Sequence, residues 1–130
     1  MAVGKDLQIL IVDDYKTMLR IVRSLLNQLG LRHVDEATDG QSALAMIRER
    51  PFSYGLVISD WNMQPMTGLD LLKEIRGNPQ TAKMPFIMVT AEARTENIIA
   101  AKAAGVNNYI IKPFTQQVLK QKLSAVIGEF

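Results

Sequence analysis

Five residues could do chemistry together: Asp13, Asp14, Asp60, Thr90 and Lys112. Each stands at the carboxyl end of a short, β-branched apolar run, so all five reach one edge if those runs are parallel strands. Three carboxylates meeting at one edge repel, and each resists ionisation unless a cation compensates. A hard divalent ion with oxygen ligands is the natural partner. Mg²⁺ prefers octahedral geometry, keeps several waters, and commonly takes one or two carboxylates plus phosphate oxygens. A lysine ammonium beside the acids neutralises charge and can pair with a phosphoryl oxygen, while a threonine hydroxyl can donate to another. Charge stabilisation and positioning are nearly all that phosphoryl transfer asks of a protein. A carboxylate can itself be the nucleophile, giving an aspartyl phosphate. Asp60, between the acidic pair and the Thr90–Lys112 edge, is the candidate. Taken singly, Asp13-Asp14 also read as a strand-end turn with a helix cap, Lys112 as a solvated lysine and Thr90 as a strand terminus. Their common edge favours the chemical reading.

The elements that must position them are legible as an alternation. Short β-branched runs at Leu7–Val12, His33–Ala37, Leu56–Ser59, Phe86–Thr90 and Asn108–Ile111 predict strands, three of them almost unbroken apolar, as strands buried on both faces are. Between Lys16 and Leu29, Met18, Leu19, Val22, Leu25, Leu26 and Leu29 follow helical spacing, and Gly30 ends that helix. Asp39 caps a second helix carrying Ala43, Leu44 and Ile47, stopped near Pro51. A third is expected from Gly68 to Gly77, a fourth over Glu96–Ala104 ending at Gly105, and a fifth over Thr115–Ile127 with Thr115 as its cap. Strict strand–helix alternation implies right-handed crossovers and a parallel sheet covered on both faces. In such sheets the ligand crevice lies at the carboxyl ends of the strands.

Composition narrows the class. The 130 residues fit one domain, 48% hydrophobic and 22% charged, with a net charge of +2. Acids and bases are interspersed, without the basic stripes of a nucleic-acid-binding protein. There is no cysteine, which excludes disulfide and thiol chemistry. Met1–Asp6 lacks the apolar stretch of a signal peptide, and nothing approaches the roughly 18 apolar residues of a membrane span. The chain reads as cytoplasmic, with no membrane insertion.

Asp13-Asp14 after "ILIV", Asp60 in "SDWNM", Thr90 in "VTAEA" and Lys112 in "KPF" together resemble the response-regulator receiver family, and within it the single-domain chemotaxis regulators. The likeness runs from about Leu7 to Phe130 and includes "ENIIAA" at Glu96–Ala101. It implies an α/β fold: a single (βα)5 doubly wound, five-stranded parallel sheet, flavodoxin-like, in strand order 2-1-3-4-5. It implies one receiver domain over 1–130, with a core of about 7–128 and no output domain. Asp60 would be the phosphorylated residue; Asp14, Asp60 and the main-chain carbonyl of Asn62 would bind Mg²⁺, with Asp13 helping through water. Thr90 and Lys112 would contact the phosphoryl group, and Asn62 and Glu92 would tune dephosphorylation. Tyr109, which by itself reads as half-buried sheet packing, matches an aromatic switch residue. It is expected to rotate inward as the Thr90 hydroxyl moves toward a phosphoryl group, reshaping a partner face around Ala93, Tyr109, Ile111 and Lys122. Lys112-Pro113 matches a peptide bond that is usually cis. Two residues depart from the chemotaxis pattern: Gln64 replaces a proline and Thr67 an aspartate, so the loop after Asp60 is expected to move differently.

The implied function is a two-component signalling switch. A histidine kinase would be the donor, a flagellar motor switch protein the target, with a phosphatase as a further partner and the chain acting as a monomer. It would be no enzyme beyond its own phosphorylation and dephosphorylation. A phosphate sink without motor binding is the rival within the class. A haloacid-dehalogenase-like phosphatase shares the residue types but places its nucleophile in a DxD pattern and adds a cap, for which this length leaves no room. A flavodoxin-like electron carrier would need a hydroxyl-rich phosphate loop where "DDYKT" is acidic, and a nucleotide hydrolase a GxxxxGK[ST] loop. Trp61 reads as a partly exposed loop residue, and His33, the single histidine, as an exposed residue entering the second strand.

Overall fold

A computed structural model describes residues 6–91 and 93–130. Strands and helices alternate without exception: β1 (Ile9–Val12), α1 (Lys16–Gln28), β2 (Val34–Ala37), α2 (Gly40–Glu49), β3 (Leu56–Ser59), α3 (Gly68–Gly77), β4 (Phe86–Thr90), α4 (Thr95–Ala103), β5 (Asn108–Ile111) and α5 (Gln116–Ile127). All five strands are parallel, in the order β2-β1-β3-β4-β5. Every residue of β1, β3 and β4 is buried. These are the apolar runs expected where helices cover both faces of a sheet. The first two strands begin later than their apolar runs, at Ile9 and Val34, and α4 is shifted one residue toward its N-terminus. Helix ends commonly vary by that much.

The two faces bury separate cores. On one side α1 and α5 set Leu19, Val22, Leu26, Leu119 and Leu123 against Ile9, Ile11, Ile58 and Ile87 of the sheet. On the other, α2 and α3 set Leu44, Ile47, Leu71, Leu72 and Ile75 against Leu10, Val12, Val57 and Met88. The alternation of Ile9 and Ile11 with Leu10 and Val12 is the two-residue period of a strand directing successive side chains to opposite faces. α4 is held least, because its apolar residues do not gather on one side: only Ala101 is buried, and Ile99 is 60% exposed. No helix among the described residues is long and apolar enough to cross a membrane.

Helix ends follow the local chemistry. Gly30 and Gly105 adopt φ of 90° and 97° after α1 and α4, in the left-handed region that glycine occupies without a Cβ penalty. Asp39 accepts from the Ser42 amide at 2.7 Å, and Thr115 from the Val118 amide at 3.1 Å. The departure at Thr67 proves to be a capping box: its hydroxyl accepts from the Asp70 amide at 3.1 Å, and Asp70 accepts from the Thr67 amide at 3.2 Å. Aspartate and threonine are both good N-caps, so the exchange keeps the start of α3 intact. Thr67→Ala should therefore cost about 1 kcal/mol and Thr67→Asp only a few tenths. Urea unfolding of the two variants checks this, and equal losses would mean that the cap contributes nothing. Gln64–Pro65, in the same loop, is cis.

Candidate functional site

The sheet delivers the five residues to one edge by extending its own ladders. The Asp60 amide donates to the Val12 carbonyl at 2.9 Å, continuing the β1–β3 pairing, and the Asp13 amide donates to Ala37 at 3.2 Å. The Lys112 amide donates to the Thr90 carbonyl at 2.9 Å, continuing β4–β5. Asp13, Asp14 and Asp60 each present a carboxylate oxygen, all within 4.8 Å of one another. The Lys112 ammonium sits 3.0 Å from Asp13 Oδ2 and 3.7 Å from Asp60 Oδ1. Asp13 and Asp60 are buried and Asp14 is exposed, so the cluster opens to solvent on the Asp14 side. Lys112–Pro113 is cis, in agreement with the resemblance.

Hydrogen bonds fix the buried acids. Asp13 Oδ1 accepts from the Tyr15 amide at 2.9 Å, and Asp60 Oδ1 from the Trp61 amide at 2.8 Å. Burial pushes the Asp60 carboxyl above its ordinary range. The Lys112 ammonium opposes that rise and Asp13 repulsion adds to it, while the Trp61 amide and the buried Thr90 hydroxyl favour the ionised form. One ammonium among three carboxylates leaves an excess of negative charge. An all-oxygen set with two negative charges uncompensated fits a small divalent cation such as Mg²⁺, and three carboxylates leave positions for water or phosphate. Asn62 is exposed in the loop after β3.

The residues expected on the partner face are partly brought together. Tyr109, Ile111 and Lys122 line a groove of about 330 Å³ with Ile98, Lys102 and Val106, between α4, β5 and α5. Ala93 is exposed ahead of α4 and is not part of that lining. Glu92 lies outside the described residues. Tyr109 is 9% exposed, its ring turned into the protein. Trp61, half-buried, meets the Tyr109 ring edge-on, with centroids 6.4 Å apart and planes at 64°. His33 is exposed, 3.8 Å from Asp6.

Two supports of Asp60 were not foreseen. A Cβ at Gly68 would overlap the Asp60 carbonyl, so the first residue of α3 presses directly on the acceptor's backbone. The Ser59 hydroxyl, fully buried, donates to the same carbonyl at 2.9 Å. The glycine was visible only as a helix start, since its neighbour across the loop is set by the path of residues 61–67.

Residues 9–124 match the response regulator receiver domain family. The chain is 50% identical over 123 residues to chemotaxis protein CheY-3 of Vibrio cholerae, covering 95% of this chain and 93% of that protein. It is 48% identical over 120 residues to chemotaxis protein CheY of Pseudomonas aeruginosa, covering 92% and 95%. Among solved structures, CheY4 of Vibrio cholerae superposes with a TM-score of 0.84 at 32% identity, covering 92% of this chain and 98% of that one. The receiver domain of a Pseudomonas aeruginosa sensor histidine kinase, with a magnesium ion coordinated in its active-site cleft, gives 0.83 at 28% identity, covering 95% and 98%. The parallel 2-1-3-4-5 sheet, the acid cluster with its lysine, and these likenesses agree: the chain belongs to the response regulator receiver family and is a CheY-like receiver domain of two-component signalling.

Proposed function

We propose that the protein is a phosphorylation-driven switch of chemotaxis, taking a phosphoryl group onto Asp60 from a histidine kinase in a Mg²⁺-dependent reaction. The observation that carries this reading is the convergence of Asp13, Asp14 and Asp60 within 4.8 Å, with the Lys112 ammonium 3.0 Å from Asp13 and 3.7 Å from Asp60. Asp14, Asp60 and the Asn62 carbonyl would hold the ion, and Asp13 would reach it through water. Bound there, Mg²⁺ neutralises the carboxylates and the oxygens of the transferring group. A carboxylate oxygen of Asp60 attacks phosphorus; the new O–P bond forms as the P–N bond to the donor imidazole breaks, and that nitrogen keeps the electron pair. Lys112 and Thr90 pair with the phosphoryl oxygens. Hydrolysis returns Asp60 and inorganic phosphate, tuned by Asn62 and Glu92.

Phosphorylated, the protein acts in the cytoplasm as a monomer, through its own surface. The target, a flagellar motor switch protein, docks on the groove of Tyr109, Ile111 and Lys122, with Ala93 at its margin. Apolar anchors entering beside Ile98 and Val106, with acids toward Lys102 and Lys122, suit that lining. Incubation with labelled acetyl phosphate and Mg²⁺ tests the chemistry: one hydroxylamine-labile phosphoryl group per chain is expected. Asp14→Ala should require at least about tenfold more Mg²⁺ for the same rate, because a carboxylate ligand is lost, while the metal-free fold is no less stable. A wild-type protein that takes up no label, or an unchanged Mg²⁺ requirement in the variant, would overturn the assignment.

A further inference from the structure

We infer that Trp61 is a positioning residue that seats Tyr109, so that the state of Asp60 reaches the partner groove through Trp61 as well as through Thr90. The inference rests on Asp60 being the phospho-acceptor and adds a route by which its state is read. Trp61 is bonded to Asp60 by its main chain and packed on Tyr109 by its side chain. Its amide donates to Asp60 Oδ1 at 2.8 Å, while its carbonyl accepts from the Met63 amide at 3.0 Å and the Gly68 amide at 2.9 Å. The backbone is therefore tied to the acceptor on one side and to the start of α3 on the other. From that anchor the indole meets the Tyr109 ring, although β4 lies between β3 and β5. Met88 of β4 is the register partner of Tyr109, and both belong to the core on the α2–α3 face, against which Trp61 packs.

Both ends of this connection are sensitive to chemistry. Joining a phosphoryl group to a carboxylate oxygen of Asp60 removes the carboxylate's delocalised charge, and a charge-assisted bond from the Trp61 amide becomes an ordinary one. A shift of the loop moves the indole edge, and an edge-on aromatic pair depends on the mutual orientation of its rings. Tyr109 in turn lines the groove proposed for the target. It also makes contacts other than that with Trp61. Trp61 therefore biases the position of Tyr109 instead of fixing it alone, as a residue shifting two pre-existing states does.

The protein has three tyrosines, and the other two bracket Tyr109: Tyr15 is 60% exposed, and Tyr54 is 5% exposed with its hydroxyl 2.6 Å from Asp35. Uniform 3-fluorotyrosine labelling, with resonances assigned through Tyr109→Phe, gives three fluorine signals whose H2O/D2O isotope shifts report exposure. Spectra would be recorded with and without saturating beryllofluoride and Mg²⁺ in wild type, Trp61→Ala and Trp61→Phe. In Trp61→Ala without beryllofluoride, the Tyr109 isotope shift should move toward that of Tyr15. The displacement that beryllofluoride causes at Tyr109 should fall by at least about half, as expected when a contact carrying much of the bias is removed. Trp61→Phe should restore most of both, and an unchanged Tyr54 signal would show the fold retained. A Tyr109 signal identical to wild type in Trp61→Ala, with and without beryllofluoride, would overturn the inference; so would a failure of Trp61→Phe to restore it. In wild type, a beryllofluoride response in Trp61 fluorescence but none at Tyr109 would also overturn it. A response in neither would instead sink the reading of Asp60 as acceptor.

Discussion

Asp60→Asn is expected to abolish phosphoryl uptake from acetyl phosphate and, in the absence of Mg²⁺, to give a more stable protein than the wild type. The first effect follows from the nucleophile, since an amide oxygen neither carries the charge nor forms the acyl phosphate. The second follows from electrostatics. Burial raises Asp60 above its ordinary carboxylate range, and Asp13 adds repulsion. The folded chain consequently holds the Asp60 proton more tightly than the unfolded chain does. That preference favours folding at low pH and is lost as pH rises through the raised value. Asparagine has no such penalty at neutral pH, it can still accept from the Trp61 amide, and Lys112 keeps Asp13 as its closer partner at 3.0 Å. The gain should be present at pH 7.5 and vanish below the ordinary carboxylate value of about 3.9. Urea unfolding in a chelator at pH 7.5 and pH 3.5 measures it. Labelling of the variant at the wild-type rate, or lower stability at pH 7.5, would contradict the assignment.

Lys112→Ala should destabilise the metal-free protein by about 3 kcal/mol, the usual cost of leaving buried charge without its partner. Its ammonium is the one cation within reach of both Asp13 and Asp60 among the described residues. Without it, three carboxylates face one another across 4.8 Å or less with no compensating charge. Mg²⁺ should then bind more tightly than in wild type, because the site loses a competing positive charge while keeping all its acids. Saturating Mg²⁺ should recover much of the lost stability, and acidification should do the same as the acids protonate. Calorimetric titration with Mg²⁺ and urea unfolding with and without the ion provide the two readings. Weaker Mg²⁺ binding would mean that Lys112 organises the ligands rather than competing with the ion.

Strand existence was legible because a strand covered by helices on both faces has almost no place for a polar residue. Leu56–Ser59, Phe86–Thr90 and Asn108–Ile111 fall where the sequence reading puts them. Leu7 and His33 lie outside the strands, since β1 and β2 begin at Ile9 and Val34, although the His33 carbonyl accepts from the Ile9 amide at 2.9 Å. The caps at Asp39 and Thr115 were legible because they satisfy amides three residues away, an interaction written into adjacent sequence. The box at Thr67 is equally local, a threonine with an acid three residues on, although it also departs from the aspartate of the family pattern.

The alternation of runs and caps, the acidic and basic residues at run ends, and the class of chemistry they can perform were determined by the sequence itself. Their physical basis is short-range: periodicity, capping and the shared direction of parallel strands. Tertiary structure decided what depends on register and loop path. Gly68 meets the Asp60 carbonyl because the loop over residues 61–67 folds α3 back onto the end of β3. Arg76 reaches the carbonyls of Gly105 and Met84 and the side chain of Asn107, tying α3 to the loop between α4 and β5. Trp61 touches Tyr109 because β4 pairs with both β3 and β5, in a register that sets Met88 beside Tyr109. Nothing within a few residues of Tyr109 specifies that contact: a ring–ring approach between residues 48 positions apart exists only once three strands have paired in order.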